Sequence, residues 1–142
     1  MKKLRIGVVG LGDISHVYLT TLQKYSDLVT LCACASRTLE KAQRKAAEYG
    51  IPQAYACAED LIREADVDLI LNLTTPDMHY PLNKLALECG KRVYTEKPLA
   101  GSFAEGQELM QLAAQNTLRV GCAPDTFLGG RLQTCREVLD AG

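Results

Sequence analysis

The chain has 142 residues, 47% hydrophobic and 23% charged, which suits one soluble domain able to bury roughly two-thirds of its unfolded surface. Sixteen basic residues against seventeen acidic ones leave a net charge of -1, so there is no electrostatic case for nucleic acid or an anionic membrane. No apolar stretch approaches the roughly 18 residues of a membrane helix, and no cleavage-site pattern follows Met1-Lys2-Lys3; the expected location is the cytoplasm.

In chain order, Leu4 to Val9 reads as a buried strand and Asp13 to Lys24 as a helix. Leu28 to Ala35 is a second strand, after which Thr38 can cap a helix running to Tyr49, stopped by Gly50 and Pro52. A short strand at Ala54 to Ala56 precedes a helix from Ala58 to Glu64, and Asp68 to Leu73 is a strand apolar enough for burial on both faces. A helix from about Tyr80 to Cys89 ends at Gly90, and Arg92 to Thr95 is the fifth strand. Ser102 to Gln115 is a helix, Leu118 to Cys122 a sixth strand, and Gly129 to Leu139 a closing helix. About six strands alternating with helices predict a single α/β domain, a doubly wound parallel sheet over residues 1–142. Its ligands belong outside the carboxyl ends of the strands.

Cys32, Cys34, Cys57, Cys89, Cys122 and Cys135 form no CxxC pair, and neither histidine lies near a pair of cysteines. Metal-ligand spacing is therefore absent, and buried, reduced thiols are expected.

Gly10-Leu11-Gly12-Asp13-Ile14-Ser15 falls where the first strand turns into the first helix. Gly10 permits the tight turn, Gly12 lets backbone approach a pyrophosphate, and Ser15 is small enough for helix to pack on strand. The helix N-terminus then aims unpaired N–H groups at phosphate. A bare tight turn is the alternative. At the end of the second strand an NAD site usually carries Asp or Glu for the ribose, but this chain has Ser36-Arg37-Thr38. A guanidinium flanked by hydroxyls suits a 2′-phosphate, which favours NADP over NAD; a surface Arg37 in a site tolerating both is the other reading.

Three further segments, Thr74-Thr75-Pro76-Asp77-Met78-His79, Ala86-Leu87-Glu88-Cys89-Gly90-Lys91-Arg92-Val93 and Glu96-Lys97-Pro98-Leu99-Ala100, are specific in combination. In this order and spacing they closely resemble the glucose–fructose oxidoreductase, inositol dehydrogenase and rhizopine-catabolism (Gfo/Idh/MocA) family. The resemblance spans the chain but covers only that family's N-terminal NAD(P)-binding Rossmann domain. It implies an NAD(P)-dependent oxidoreductase acting on CH–OH groups of a sugar, inositol or related polyol. It also implies that Thr74, Thr75 and Pro76 line the dinucleotide cleft, that His79 lies beside the cofactor, and that Glu96 contacts it near the nicotinamide ribose. Lys97 would be the catalytic lysine and a cofactor contact. For His79, a structural bond at a helix start is an equal alternative. The Lys97–Pro98 bond is a candidate for cis geometry, cheap only before proline. Independently of the family, an ammonium at a strand's carboxyl end suits stabilisation of a developing alkoxide and proton relay.

Tyr18 stands where many members carry a histidine. The family's second catalytic group sits in a C-terminal α+β domain that this chain would lack, so the domain alone is expected to bind cofactor with little turnover. Family members usually pair through that absent domain, which implies a homo-oligomer for the longer protein. Asp125 is a candidate substrate contact or a turn residue. The rival functions are a non-catalytic dinucleotide-sensing or partner-binding module and an adenosylmethionine-dependent methyltransferase, which shares the glycine turn but has no use for Glu96-Lys97-Pro98.

Overall fold

The computed structural model describes residues 2–123 and 129–142. Its elements run β1 (Leu4–Val9), α1 (Asp13–Gln23), β2 (Val29–Ala35), α2 (Leu39–Tyr49), β3 (Gln53–Tyr55), α3 (Ala58–Glu64), β4 (Leu69–Asn72), α4 (Pro76–Glu88), β5 (Arg92–Thr95), α5 (Phe103–Gln115), β6 (Val120–Cys122) and α6 (Gly130–Ala141). The six strands form one sheet in the order β3-β2-β1-β4-β5-β6, every neighbouring pair parallel. This is the expected doubly wound α/β sheet. Strand order reverses between β1 and β4, so their carboxyl ends diverge into a crevice where the connections leave in opposite directions.

Alternation along the strands explains the two cores. On β1, Ile6 and Val8 face one way and join Leu19 of α1 and Ala42, Ala46 and Tyr49 of α2. Val9 faces the other way, with Leu61 and Ile62 of α3, Leu82 and Leu87 of α4, and Leu109 of α5. Burial on both faces requires strands with few polar residues, which is what β1 and β4 supply. By contrast, α6 has no buried residue.

The helix starts follow from their first residues. Thr38 caps α2 by accepting from the Lys41 N–H, and Ser102 and Glu105 form a reciprocal capping box on α5. The sequence predicts the fourth helix from about Tyr80; α4 begins four residues earlier, at Pro76. Pro76 occupies the first helical turn, where its missing N–H has no intrahelical partner to lose. Pro81 is accommodated inside the helix. The thiols also differ from expectation: all six are free, but only Cys34 is buried and Cys135 is exposed. Burial pushes the Cys34 thiol up to about 11.

Candidate cofactor and active site

A cleft of about 470 Å³ opens at the carboxyl ends of β1, β2 and β4, a size typical of small-ligand sites. Gly10, Leu11 and Gly12 form its floor. Ser36, Arg37 and Lys41 form one wall, Ala56 to Glu59 another, and Leu73, Thr74, Thr75, Met78 and Leu82 the third.

The two glycines do different work. Gly10 has φ +88°, and a Cβ there would lie 2.6 Å from the Leu73 carbonyl and the Thr74 nitrogen. The close approach of β1 to β4 therefore requires glycine. Gly12 has φ -77°, and a Cβ on it would meet nothing within 4 Å. It leaves open space at the N-terminus of α1, where a bound anion would meet free N–H groups. Ser15, fully buried, does more than stay small: its hydroxyl donates to the Gly12 carbonyl at 2.6 Å, fixing the turn.

At the end of β2 the cleft wall carries Ser36 and Arg37, and Lys41, in the first turn of α2, adds a second cation beyond those expected from the sequence. The carboxylate lining the cleft, Glu59, comes from α3 rather than from the end of β2. A donor set of two cations and a hydroxyl is complementary to a phosphate. Thr38 is occupied as the α2 cap, and Asp13 and Ile14 are exposed beside the turn rather than lining the cleft.

The β5 end lies one strand beyond β4. Glu96 N–H donates to the Asn72 carbonyl at 2.9 Å, which ties the two strand ends together. Glu96 is held from both sides: the Tyr18 hydroxyl donates to Oε1 at 2.7 Å and the Lys97 N–H to Oε2 at 3.0 Å. Tyr18 thus links α1 to the end of β5. Lys97 is exposed, precedes a cis peptide bond to Pro98, and among the described residues its ammonium forms no salt bridge.

His79 departs from expectation. It is 1% exposed and does not line the cleft. Nδ1 lies 2.6 Å from the Pro98 carbonyl and Nε2 3.0 Å from the Thr74 carbonyl, so the ring sits between two loops and each neutral tautomer donates its one N–H to one of them, which is the structural bond given as the alternative. Nearby, the Thr75 hydroxyl and Asp77's own backbone N–H hold the Asp77 carboxyl below its usual range. Thr74 and Thr75 line the cleft; Pro76 starts α4 beside them. Asp125 lies outside the described residues. No helix among the described residues is long and apolar enough to cross a membrane.

A glycine turn entering a helix at the switch point of a doubly wound sheet defines the dinucleotide-binding class of α/β domains. Residues 4–123 match the family described as "Oxidoreductase family, NAD-binding Rossmann fold" (GFO_IDH_MocA), and the chain belongs to that family. It is 31% identical over 140 residues to the trans-1,2-dihydrobenzene-1,2-diol dehydrogenase of Mus musculus, covering 98% of this chain and 42% of that protein. It is 30% identical over 154 residues to the dehydrogenase aclE of Aspergillus oryzae, covering 99% and 41%. The chain thus spans about two-fifths of the length of these relatives. The same fold occurs in scyllo-inositol dehydrogenase from Lactobacillus casei, solved with bound NAD(H) and scyllo-inositol (TM-score 0.88, 22% identity, 99% of this chain and 42% of that one). It occurs also in the WlbA dehydrogenase from Bordetella pertussis, in complex with NADH and UDP-GlcNAcA (TM-score 0.89, 22% identity, 99% and 43%).

Proposed function

We propose that this domain binds NADP in preference to NAD and presents Lys97 to a secondary alcohol on a sugar, inositol or related polyol. Hydride would pass between the carbinol carbon and the nicotinamide. The observation that carries the reading is topological: one parallel sheet brings the Gly10–Gly12 turn and Lys97 to the same edge, two strands apart. The two cations at the end of β2 support the NADP preference, because an NAD site would place a carboxylate there.

Gly10, Gly12, Asp13 and Ile14 would hold the pyrophosphate, chiefly through backbone. Ser36, Arg37, Thr38 and Lys41 would hold the adenosine ribose and its 2′-phosphate. Thr74, Thr75, Pro76 and Glu96 would line the remainder. Bound there, the nicotinamide supplies the hydride acceptor or donor. Lys97 stabilises the negative charge that develops on the alcohol oxygen and relays its proton. Relatives named for a cyclic diol and a neighbour solved with scyllo-inositol favour a ring-borne vicinal diol as the substrate class. In this reading the remaining substrate contacts, and the pairing of subunits, come from a further domain of the kind for which the longer relatives have room.

Calorimetric titration of the chain with NADP and NAD tests the binding half: NADP should bind at least about tenfold more tightly, a difference of about 1.4 kcal/mol. Silence from both at millimolar concentration would defeat the proposal. In a polypeptide that also carries the substrate-side domain, Lys97→Ala should slow hydride transfer to trans-1,2-dihydrobenzene-1,2-diol or scyllo-inositol by roughly 10²–10⁴-fold. Cofactor affinity should barely change. Undiminished transfer would remove Lys97 from the chemistry.

A further inference from the structure

Between the cleft and the lysine runs a chain of buried amides that neither the fold nor the glycine turn requires. Asn72, at the end of β4, and Asn83, in the middle of α4, are both fully buried. Asn72 Nδ2 donates to Asn83 Oδ1 at 2.8 Å. On its other side, Asn72 Oδ1 accepts from the Thr74 hydroxyl at 2.6 Å and the Thr74 N–H at 3.2 Å. Asn83 Nδ2 then donates to the Leu99 carbonyl at 3.3 Å. His79 spans the same gap in parallel, between the Thr74 and Pro98 carbonyls. Thr74 lines the cleft, while Pro98 and Leu99 are the two residues after Lys97.

Stability alone does not account for this arrangement. A buried hydrogen-bonded amide pair is worth little more than an apolar pair of the same shape, and the surrounding positions on β4 and α4 are apolar. What the amides add is direction: each bond fixes one backbone group of a loop against another. We infer that Asn72 and Asn83, seconded by His79, are positioning residues that lock the Lys97–Leu99 turn to the Thr74 loop, so that the cofactor seat and the lysine move as one rigid body. This rests on the reading of Lys97 as the group beside the nicotinamide.

The test uses the chain with its lysines reductively dimethylated with isotopic label, a change that keeps their charge. The Lys97 resonance is identified by its absence in Lys97→Arg. NADP should shift that resonance in the unsubstituted chain. In Asn83→Asp the introduced carboxyl can donate to the Leu99 carbonyl only while protonated. The NADP-induced shift should therefore vanish at about pH 8 and return at about pH 5, since burial raises a carboxyl's pKa. NADP affinity should change by less than about threefold, under 1 kcal/mol, because the glycine turn is untouched. The unsubstituted chain measured at both pH values removes any pH effect common to the two proteins. Asn83→Ala, which carries no charge into the core, should lose the shift at both pH values and serves if Asn83→Asp does not fold. A shift in Asn83→Ala equal to that of the unsubstituted chain overturns the positioning role and leaves the reading of Lys97 standing. If the unsubstituted chain binds NADP and its Lys97 resonance does not move, the reading of Lys97 falls and the positioning role falls with it.

Discussion

The two ends of the cofactor edge are built by opposite means. At β1 the seat is backbone: two glycines, a helix N-terminus and one serine hydroxyl that closes the turn. At β5 the backbone around Lys97 is tied by side chains from three other elements, with Tyr18 of α1 on Glu96, Asn72 of β4 on the Thr74 loop, and Asn83 and His79 of α4 on the residues after Lys97. On the proposed function, the difference follows the task. A pyrophosphate is extended and multiply charged, and a row of N–H groups satisfies it. A single ammonium must meet a single oxygen, and a flexible four-carbon side chain does so only from a fixed base.

The largest expected effect separates the two glycines of one motif. Gly10→Ala drives a Cβ into the Leu73–Thr74 backbone at a positive φ, so it should lower stability by at least roughly 1–3 kcal/mol in urea unfolding and abolish NADP binding. Gly12→Ala should unfold like the parent, since its Cβ meets nothing, yet bind NADP at least about tenfold more weakly because the methyl occupies the space a phosphate needs. Equal stability losses in both would show that the turn, rather than the ligand, demands the second glycine. Tyr18→Phe probes the other end: removing the bond to Glu96 should cost about 1 kcal/mol in urea unfolding while NADP affinity stays as it was. An affinity loss matching that of Gly12→Ala would erase the distinction between backbone and side-chain ends.

The smallest effect concerns the opposite edge of the sheet. Asp68 accepts from the Arg5 side chain at 3.1 and 2.8 Å and from its N–H at 2.9 Å, and this pairing holds its carboxyl well below the usual range. A depressed carboxyl stabilises the fold above its unfolded pKa of about 3.9 and ceases to do so as the pH falls towards its folded value. Asp68→Asn should accordingly lose a few degrees of Tm at neutral pH and show a shallower acid decline, with cofactor binding unaltered. Unchanged acid sensitivity would move the acid-labile group elsewhere.

What could be read in the sequence divides along the same line. The six apolar strands, the glycine turn and the Thr38 cap are local patterns, and each stands where it was expected. The predicted start of the fourth helix at about Tyr80 misses the first turn of α4, which Thr75-Pro76 opens. Lys41 carries no local signal of its own, because its place on the cleft wall beside Arg37 depends on how the end of β2 turns into α2. Asn72 and Asn83 gave no signal at all: a polar residue in an apolar strand or helix acquires meaning only when its partner, eleven residues away, is known to face it. His79 presented the same problem, since the sequence names the ring and not the carbonyls that hold it.

Separation of the Arg5–Asp68 cluster from the cofactor edge, by the length of the strands themselves, has a consequence for how such a domain changes over time. Substitutions at the amino ends of β1, β4 and β5 can raise or lower robustness without touching chemistry. Lys91, buried there with its ammonium on the Ala65 carbonyl at 2.6 Å, belongs to the same neighbourhood. A library randomised at these positions and sorted on heat resistance would therefore return variants that retain their ligand preference, giving slack against which riskier changes around Arg37 and Lys41 could be tolerated.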